Sequence, residues 1–595
     1  MTFRAPVRDI AFSLTEVAQA GRLAETGAFP DFDPETMEAV LAAAGQFADE
    51  VLAPLNRKGD LEGARYANGA VTAAPGFADA YRLFAEGGWT GLSAEPGHGG
   101  QGLPKALEQA CFETFQAANM AFTLCPMLSL AAIEALQTVG TERQKSLYLP
   151  RLVSGEWTGA MVLTEPQAGS DLGALRATAT PNGDGTYSLS GQKIFITWGD
   201  HDAAPNILHL VLARLPDAPP GSKGISLFLA PKVLVGEDGA LGARNAFRPV
   251  GLEHKLGIHA SPTCVMAYES ATAELVGEPN QGLAHMFIMM NAARLAVGVE
   301  GVGIAERAWQ QALGYARDRR QGRSPWTGEA NAPIFDHPDV RRMLAVSKAK
   351  IEAARGICLS TAVAADLART ARTEEARRQW KAREDLLTPI AKAWSTDLGV
   401  EVASTGVQVH GGMGYIEETG AAQHYRDARI AMIYEGTNGI QAMDLTGRKL
   451  AMDGGEAARA LIAEVRQTAE LVKQAKDPRI ASAYPALATA VSAAELATGW
   501  LLERKASSAV DVQAGSMAYL RLMGDLAGGL MLARAAFGAA MRLANGQGDP
   551  AFLEGKIELL RVYASAVLPH ATGHAAEVAM GAAALEALGA DALAG

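Results

Sequence analysis

Thr186-Tyr187-Ser188-Leu189-Ser190-Gly191-Gln192-Lys193-Ile194-Phe195-Ile196-Thr197-Trp198-Gly199, TYSLSGQKIFITWG, sets aromatic and β-branched residues among polar ones. The alternation predicts a half-buried strand, with Phe195 and Thr197 on one face. Directly before it stands PNGDG, Pro181 to Gly185, which supplies turn residues for a hairpin. Similar short runs follow: NILHLVLARL from Asn206, GISLFLAP from Gly224 and TCVMAYES from Thr263. From about Thr164 to about residue 275 the chain therefore reads as β-rich.

On either side the texture is helical. DPETMEAVLAAAGQFADEVLAPLNRKG opens with Asp33 and Pro34 as cap and first-turn residue, then repeats apolar positions every three or four residues. Beyond VGEPNQG, long Ala- and Arg-bearing segments run to residue 450, and AMDGGEAARA marks a boundary before an alanine-rich helical region. Helices, a β-rich middle and helices again predict an α+β multidomain protein, not a doubly wound sheet. The expected divisions are 1–35 as an N-terminal extension, 36–158 helical, 159–278 β, 279–452 helical and 453–595 an additional helical domain.

The 595 residues, 49% hydrophobic and 20% charged, fit a soluble globular protein of several structural units. The N-terminal sequence has no long apolar run after its basic residues, so no secretory signal is expected. No uncharged apolar run of about 18 residues is read, so no membrane span is expected. Cys111, Cys125, Cys264 and Cys358 are scattered, which suits a reducing cytoplasm and gives no metal-ligand spacing. The net charge is −12, and from Gly455 onward 12 Lys and Arg face 14 Asp and Glu. Nucleic acid binding needs clustered positive charge, so no nucleic-acid partner is expected. GHGGQG, Gly97 to Gly102, matches a dinucleotide fingerprint by letter, but Pro96 precedes it and Leu103-Pro104 follow. A glycine-rich turn between helices accounts for it better.

Three segments carry candidate chemistry. MVLTEPQAGSDLGALRA, Met161 to Ala177, centres on a loop with a hydroxyl at each end and a glycine that admits a ligand to the backbone. GQKIFITWG places an aromatic plate, Phe195, beside the hydroxyl of Thr197, a pairing suited to a flat hydrogen-bonding ring. NAARLAVGVEGVGIAERAWQQALGYARDRRQGRS sets Asn291 and Arg294 on one helix face, with Arg317, Arg319, Arg320 and Arg323 at the far end. Arginine forks grip phosphates bidentately. Each has a plainer reading: ordinary turn residues, a core phenylalanine, and arginines complementing a helix dipole.

LTEPQAGSD, KIFITWG, KLGIHASPTC, QVHGGMGY, RDARI and IYEGTNGIQ occur in this order and approximate spacing. Over residues 40 to 450 this resembles the acyl-CoA dehydrogenase family of flavoproteins. The ends resemble the large bacterial members with an N-terminal extension and an extra C-terminal helical domain, a subgroup that includes 3-methylthiopropanoyl-CoA dehydrogenases. The resemblance implies an N-terminal helical domain, a middle β-barrel-like domain and a C-terminal four-helix domain. It also implies FAD extended between the latter two and across a subunit interface.

Carried over residue by residue, Met161, Leu163 and Thr164 would meet the pyrimidine side of the flavin. Gly169 and Ser170 would line the flavin and the CoA pyrophosphate, Phe195 would lie against the ring system, and Thr197 would bond near its reactive nitrogen. Arg319 and Gln321 would hold the dinucleotide of the neighbouring subunit, approached also by Gln408, Gly411, Gly412, Thr437 and Gly439. Asn291, Arg294, Ser170 and Gly436 would contact the substrate. The family's Arg-x-x-Phe-Gly is here Arg319-Arg320-Gln321-Gly322 without the phenylalanine, and its usual aspartate is Asn291. An expected arginine falls one residue late, at Arg448, and its role is not carried over.

The implied reaction is α,β-dehydrogenation of an acyl-CoA thioester. Glu435 would be the base, the Glu435 backbone N–H and a ribityl hydroxyl the carbonyl clamp, and burial would raise the pKa of the base towards working pH. Thr437 or Asn438 would cap the following helix. An electron-transfer flavoprotein would take the electrons, and the extra C-terminal domain suggests a homodimer. Alternatives are a medium- or long-chain fatty acyl-CoA dehydrogenase of β-oxidation, an acyl-CoA oxidase, and a DNA-binding alkylation-response flavoprotein, the last opposed by the acidic C-terminal region.

Overall fold

The computed structural model describes residues 3–594, which form two compact units. Residues 43–104 and 118–296 make one; residues up to 42, 105–117 and 297 onward make the other. Helix α1, Pro34–Phe47, begins as expected: the Thr36 N–H donates to Asp33 Oδ1 at 2.7 Å. A small hairpin, Arg65–Ala67 with Ala70–Thr72, interrupts the helical region without having been foreseen. GHGGQG is a turn after a single 3-10 turn at Pro96–His98. Helix α2, Lys105–Val139, breaks its dihedrals at Asn119, and Asn119 Oδ1 accepts from the Phe122 N–H at 3.1 Å as an internal cap.

After α3, Glu142–Val153, come seven strands of one sheet: β1 Thr158–Val162, β2 Thr178–Pro181, β3 Tyr187–Thr197, β4 Ile207–Arg214, β5 Ile225–Pro231, β6 Phe247–Leu252 and β7 Thr263–Val276. The PNGDG turn joins β2 to β3 as an antiparallel hairpin, with Pro181 opposite Tyr187. β7 pairs with β3 and, at its other end, with β5; β5 pairs with β4, β4 with β2, and β2 with β3. That circuit closes, which makes the sheet barrel-like. β4 shows why its sequence is an almost unbroken apolar run: Ile207, Val211 and Ala213 enter one core, while Leu208, Leu210 and Leu212 enter a second. The second core also holds Leu136, Tyr148, Trp157 and Met289. A strand buried on both faces needs no polar alternation.

The other unit is helical. It holds the C-terminal half of α4, Gly282–Asp318, then α5, Pro338–Thr370, α6, Glu374–His410, and α7, Asn438–Met443. The long helices that follow among the described residues are α8, Glu456–Lys473, α9, Tyr484–Lys505, α10, Ser516–Ala544, and α11, Pro550–Ala566, with shorter ones between and after them. α10 lies so close to α6 that a Cβ on Gly524 would stand 2.2 Å from the Trp394 ring, and Trp394 Nε1 donates to Asp525 Oδ1 at 3.0 Å.

The membrane expectation needs correcting: among the described residues four helices are long and apolar enough to cross a bilayer by length and composition. The apolar window of α2 is 89% buried inside the fold, and that of α4 72%. Helices apolar on all sides are also what the interior of a large protein requires.

At the centre of the helical unit is a buried ion network. Arg355 on α5 is fully buried; it reaches Glu352 at 2.6 Å, Glu113 at 2.7 Å and Glu306 at 3.1 Å. Lys348 joins Asp9, Glu306 and Glu352, and Lys556 joins Asp9 and Glu352. The N-terminal extension, through Asp9 in the helix Val7–Phe12, is thereby fixed to α5 and α11. Replacing Arg355 by alanine leaves three buried carboxylates without their shared partner, and is expected to cost about 3–5 kcal/mol of stability. Replacing Lys145, whose partner Glu142 is 92% exposed, should cost under ~1 kcal/mol. Thermal and denaturant unfolding of the two variants checks the contrast.

Candidate active site

In the barrel-bearing unit, β1 ends at Val162 and the chain turns through Leu163 and Thr164 into the TEPQAGSD loop. Met161 is buried in the core; Leu163 and Thr164 are half-buried; Gly169 and Ser170 are exposed. The loop is held from below. Lys193 Nζ, fully buried, donates to Leu163 O at 2.9 Å and to Glu165 Oε1 at 2.9 Å. Glu165 also accepts from the Arg176 and Ala177 amides, at 2.7 and 2.9 Å. Burial alone would raise the Glu165 carboxyl, but Lys193 and these amides outweigh it and its pKa is lowered. Burial brings the Lys193 ammonium down to about 8 despite its partner.

β3 does not keep the simple alternation its sequence suggests. Ile196 pairs with Cys264 and Lys193 with Met266, so Ile194 and Phe195 together oppose Val265. At this bulge Phe195 takes φ +61° and the residue is 58% exposed, which overturns the reading of a core phenylalanine. Thr197 follows, half-buried, and Trp198, also at positive φ, anchors the strand end by donating to Ala121 O at 3.2 Å. On α4, Arg294 is buried and its Nη1 donates to Asn291 Oδ1 at 3.1 Å, so the pair shares a helix face as the spacing predicts.

The helical unit carries the remaining residues. Arg319 and Gln321 are brought together, Arg319 Nη2 donating to Gln321 Oε1 at 3.1 Å in an exposed loop after α4. Gln408 is exposed near the end of α6, and its carbonyl accepts from the Gly411 N–H. Gly411 and Gly412 lie exposed beyond it. Glu435 sits at φ +56° and Gly436 at φ +84°, two left-handed residues in succession. For glutamate this backbone is unfavourable by about 1 kcal/mol, and such outliers cluster where a side chain has to be aimed.

The turn is clamped on both sides. Thr437 is the cap of α7, its Oγ1 accepting from the Ile440 N–H at 3.2 Å. Asn438, an alternative candidate for that cap, instead points inward. Its Oδ1 accepts from Lys392 Nζ at 2.8 Å, and its Nδ2 donates to Ala393 O at 3.1 Å and to Asp397 Oδ1 at 2.6 Å. Gly439 opens α7 beside it. On the other side the Tyr434 hydroxyl donates to Glu300 Oε1, and Glu300 on α4 is fully buried. Burial pushes the Glu300 carboxyl up to about 8; Tyr434 and Lys392 oppose the shift and Glu435 adds to it. Sequence reasoning passed over Glu300. Its signal was a lone acid in the small, apolar run AVGVEGVGIA.

Taken by itself, each unit offers an exposed glycine backbone in one of the candidate segments. Gly169 and Gly412 have negative φ and nothing within 4 Å of a would-be Cβ, so neither dihedral strain nor packing inside the chain calls for glycine there. The backbone at each is open to a ligand brought against it.

Family models match along the chain: acyl-CoA dehydrogenase N-terminal domain over residues 34–156, middle domain over 160–271 and C-terminal domain over 280–450. A model described as acetyl-CoA dehydrogenase C-terminal like matches 461–589. A 3-methylmercaptopropionyl-CoA dehydrogenase of Ruegeria pomeroyi is 49% identical over 96% of each chain. A broad-specificity linear acyl-CoA dehydrogenase of Mycobacterium tuberculosis is 33% identical over 95% of this chain and 96% of its own. Among solved structures, an acyl-CoA dehydrogenase from Bacillus anthracis complexed with FAD superposes with a TM-score of 0.73 at 23% identity, covering 95% of this chain and 90% of that one.

Between about pH 4.5 and about 8 the unfolded chain has lost the Glu300 proton that the folded protein keeps, so Glu300 lowers stability as pH rises through that window. Glu300→Gln is neutral throughout. Its unfolding midpoint relative to the parent protein is expected to climb from pH 5 to pH 8, as measured by thermal melts across ~3 pH units.

Proposed function

The chain belongs to the acyl-CoA dehydrogenase family, and from that premise we propose that Glu435 removes the α-proton of a bound acyl-CoA thioester and that 3-methylthiopropanoyl-CoA is the substrate. The class of reaction is α,β-dehydrogenation, and FAD, when bound, supplies the acceptor for the two electrons that leave with the β-hydrogen. The substrate assignment is supported by 49% identity over nearly the whole length to a relative named for that thioester.

The left-handed turn at Glu435-Gly436 carries the assignment of the base. A loop acid with no task would be replaced by glycine or asparagine at no steric cost. Here the strain is retained and braced by Thr437, Asn438 and Tyr434. Gly436 leaves no side chain between the backbone and an approaching thioester. As the α-carbon loses its proton, negative charge grows on the thioester oxygen, and fixed backbone donors lower that barrier. Leu163, Thr164 and Thr197 offer polar backbone or hydroxyl groups to the flavin, Phe195 an exposed ring, and Arg294 a cation for the CoA end. Arg319 and Gln321 would serve the dinucleotide of a neighbouring subunit. We also propose an electron-transferring flavoprotein as electron acceptor, a homodimer and a cytoplasmic setting, and keep the five divisions drawn from the sequence.

Glu435→Gln is expected to purify yellow with FAD and to bind acyl-CoA, yet to leave the flavin unbleached under anaerobic conditions. Bleaching at the parent rate would dispose of the assignment. A panel of acyl-CoAs mixed with the parent protein should give the highest kcat/KM for the 3-methylthiopropanoyl thioester; a linear C4 to C16 substrate exceeding it by ~tenfold would move the assignment to fatty acyl-CoAs. Stoichiometric peroxide during turnover would identify an oxidase.

A further inference from the structure

Glu300 lies outside every motif that carries the family resemblance, yet it is the fully buried acid against which the base-bearing turn rests. One of its oxygens accepts from the hydroxyl of Tyr434, the residue immediately before Glu435. Its other oxygen, Oε2, is buried and has no hydrogen-bond partner. The charged or titratable groups that act on it are Tyr434, Lys392 on α6 and Glu435 itself. Lys392, also fully buried, is engaged with Asn438 on the far side of the same turn. α4 and α6 therefore both hold the five residues Tyr434 to Asn438, α4 through the Glu300 carboxyl on Tyr434 and α6 through the Lys392 ammonium on Asn438.

We propose that Glu300 is a positioning residue for the reaction: through the Tyr434 hydroxyl it holds the left-handed turn that aims the Glu435 carboxylate at the substrate α-carbon. Resting on the reading of Glu435 as the base, the inference adds why an acid, and not a small apolar residue, occupies this place on α4. A carboxyl that keeps its proton at neutral pH accepts the Tyr434 hydrogen bond without setting a second negative charge beside the base. Two ionised carboxylates at that spacing would oppose the deprotonated state in which Glu435 has to begin. Tyr434 cannot relax away without abandoning the backbone dihedrals on which the direction of Glu435 depends.

The test is anaerobic stopped-flow reduction of the FAD-loaded enzyme by saturating acyl-CoA. Glu300→Ala is expected to lower the rate roughly ten- to a hundredfold with FAD content and KM unchanged, the signature of a misaimed base. Glu300→Gln keeps an acceptor for the Tyr434 hydroxyl and should recover the rate to within about threefold. Tyr434→Phe should reproduce the alanine loss, and the double variant E300A/Y434F should be no slower than the slower single one, because both remove the same contact. An alanine variant at the parent rate, or a double variant whose losses multiply, overturns the inference. Should Glu300→Ala fail to fold, Tyr434→Phe decides by itself, and an unaltered rate there overturns it equally. Glu435→Gln run alongside separates the two levels: reduction by that variant defeats the reading of the base, whereas an inert Glu435→Gln with an indifferent Glu300 series defeats only the role of Glu300.

Discussion

The guanidinium of Arg355 is the constraint around which the helical unit is organised. It lies fully buried with Glu113, Glu306 and Glu352, carboxylates drawn from α2, α4 and α5. A charge so placed loses its hydration and is tolerable only when several acceptors surround it in fixed positions. With Lys348 and Lys556 the network has three cations, and with Asp9 it has four acids. The surplus falls on Glu113: burial raises it to about 7, whereas Lys348, Lys556 and Arg355 draw Asp9 well below its ordinary value against the effect of burial. Apolar packing of equal volume would hold these helices at least as firmly. What the charges supply is one allowed register, since sliding any helix by a turn strands a buried ion. α4, so fixed, also carries Glu300.

The turn at Glu435 illustrates how such rigidity is used. Its backbone is the least favourable of the segment, and it persists because elements that are themselves well packed determine it from outside. Lys392 reaches it through Asn438, Glu300 through Tyr434, and Thr437 closes the helix that follows. The barrel-bearing unit does the same for its TEPQAGSD loop with one ion pair, Lys193 to Glu165, and for Phe195 with a bulge that leaves it exposed. In both units the braced segment is attached to a buried polar pair, and the pair is attached to the core.

Features made by neighbours in sequence were legible beforehand. PNGDG becomes a hairpin because its turn residues suffice, and Asp33 caps α1 because an aspartate needs only the amides that follow it. The motifs that point to the family are likewise short and local, and the family models match the segments that hold them. What could not be read depends on partners far along the chain. The outward turn of Phe195 is set by Val265 on another strand, and the inward turn of Asn438 by Lys392 on α6. Glu300 looked like a stray acid because its meaning lies in Tyr434, 134 residues later. The long apolar helices were underestimated: four of the described helices are apolar enough over 18 residues to match a span by composition, and composition cannot tell a lipid surround from a protein one.

The tether of the N-terminal segment has a temporal side. Asp9 bonds to Lys348 and to Lys556, the latter 547 residues away, so the first helix has no complete binding place until nearly the whole chain exists. The barrel-bearing unit is made of residues 43–104 and 118–296 and has its own strands in hand far sooner. The full set of partners for Asp9 is therefore assembled only when α11 is present, which makes closure of the helical unit a late, non-local event. Lys348 on α5 can engage Asp9 first, and Lys556 on α11 completes its neutralisation last.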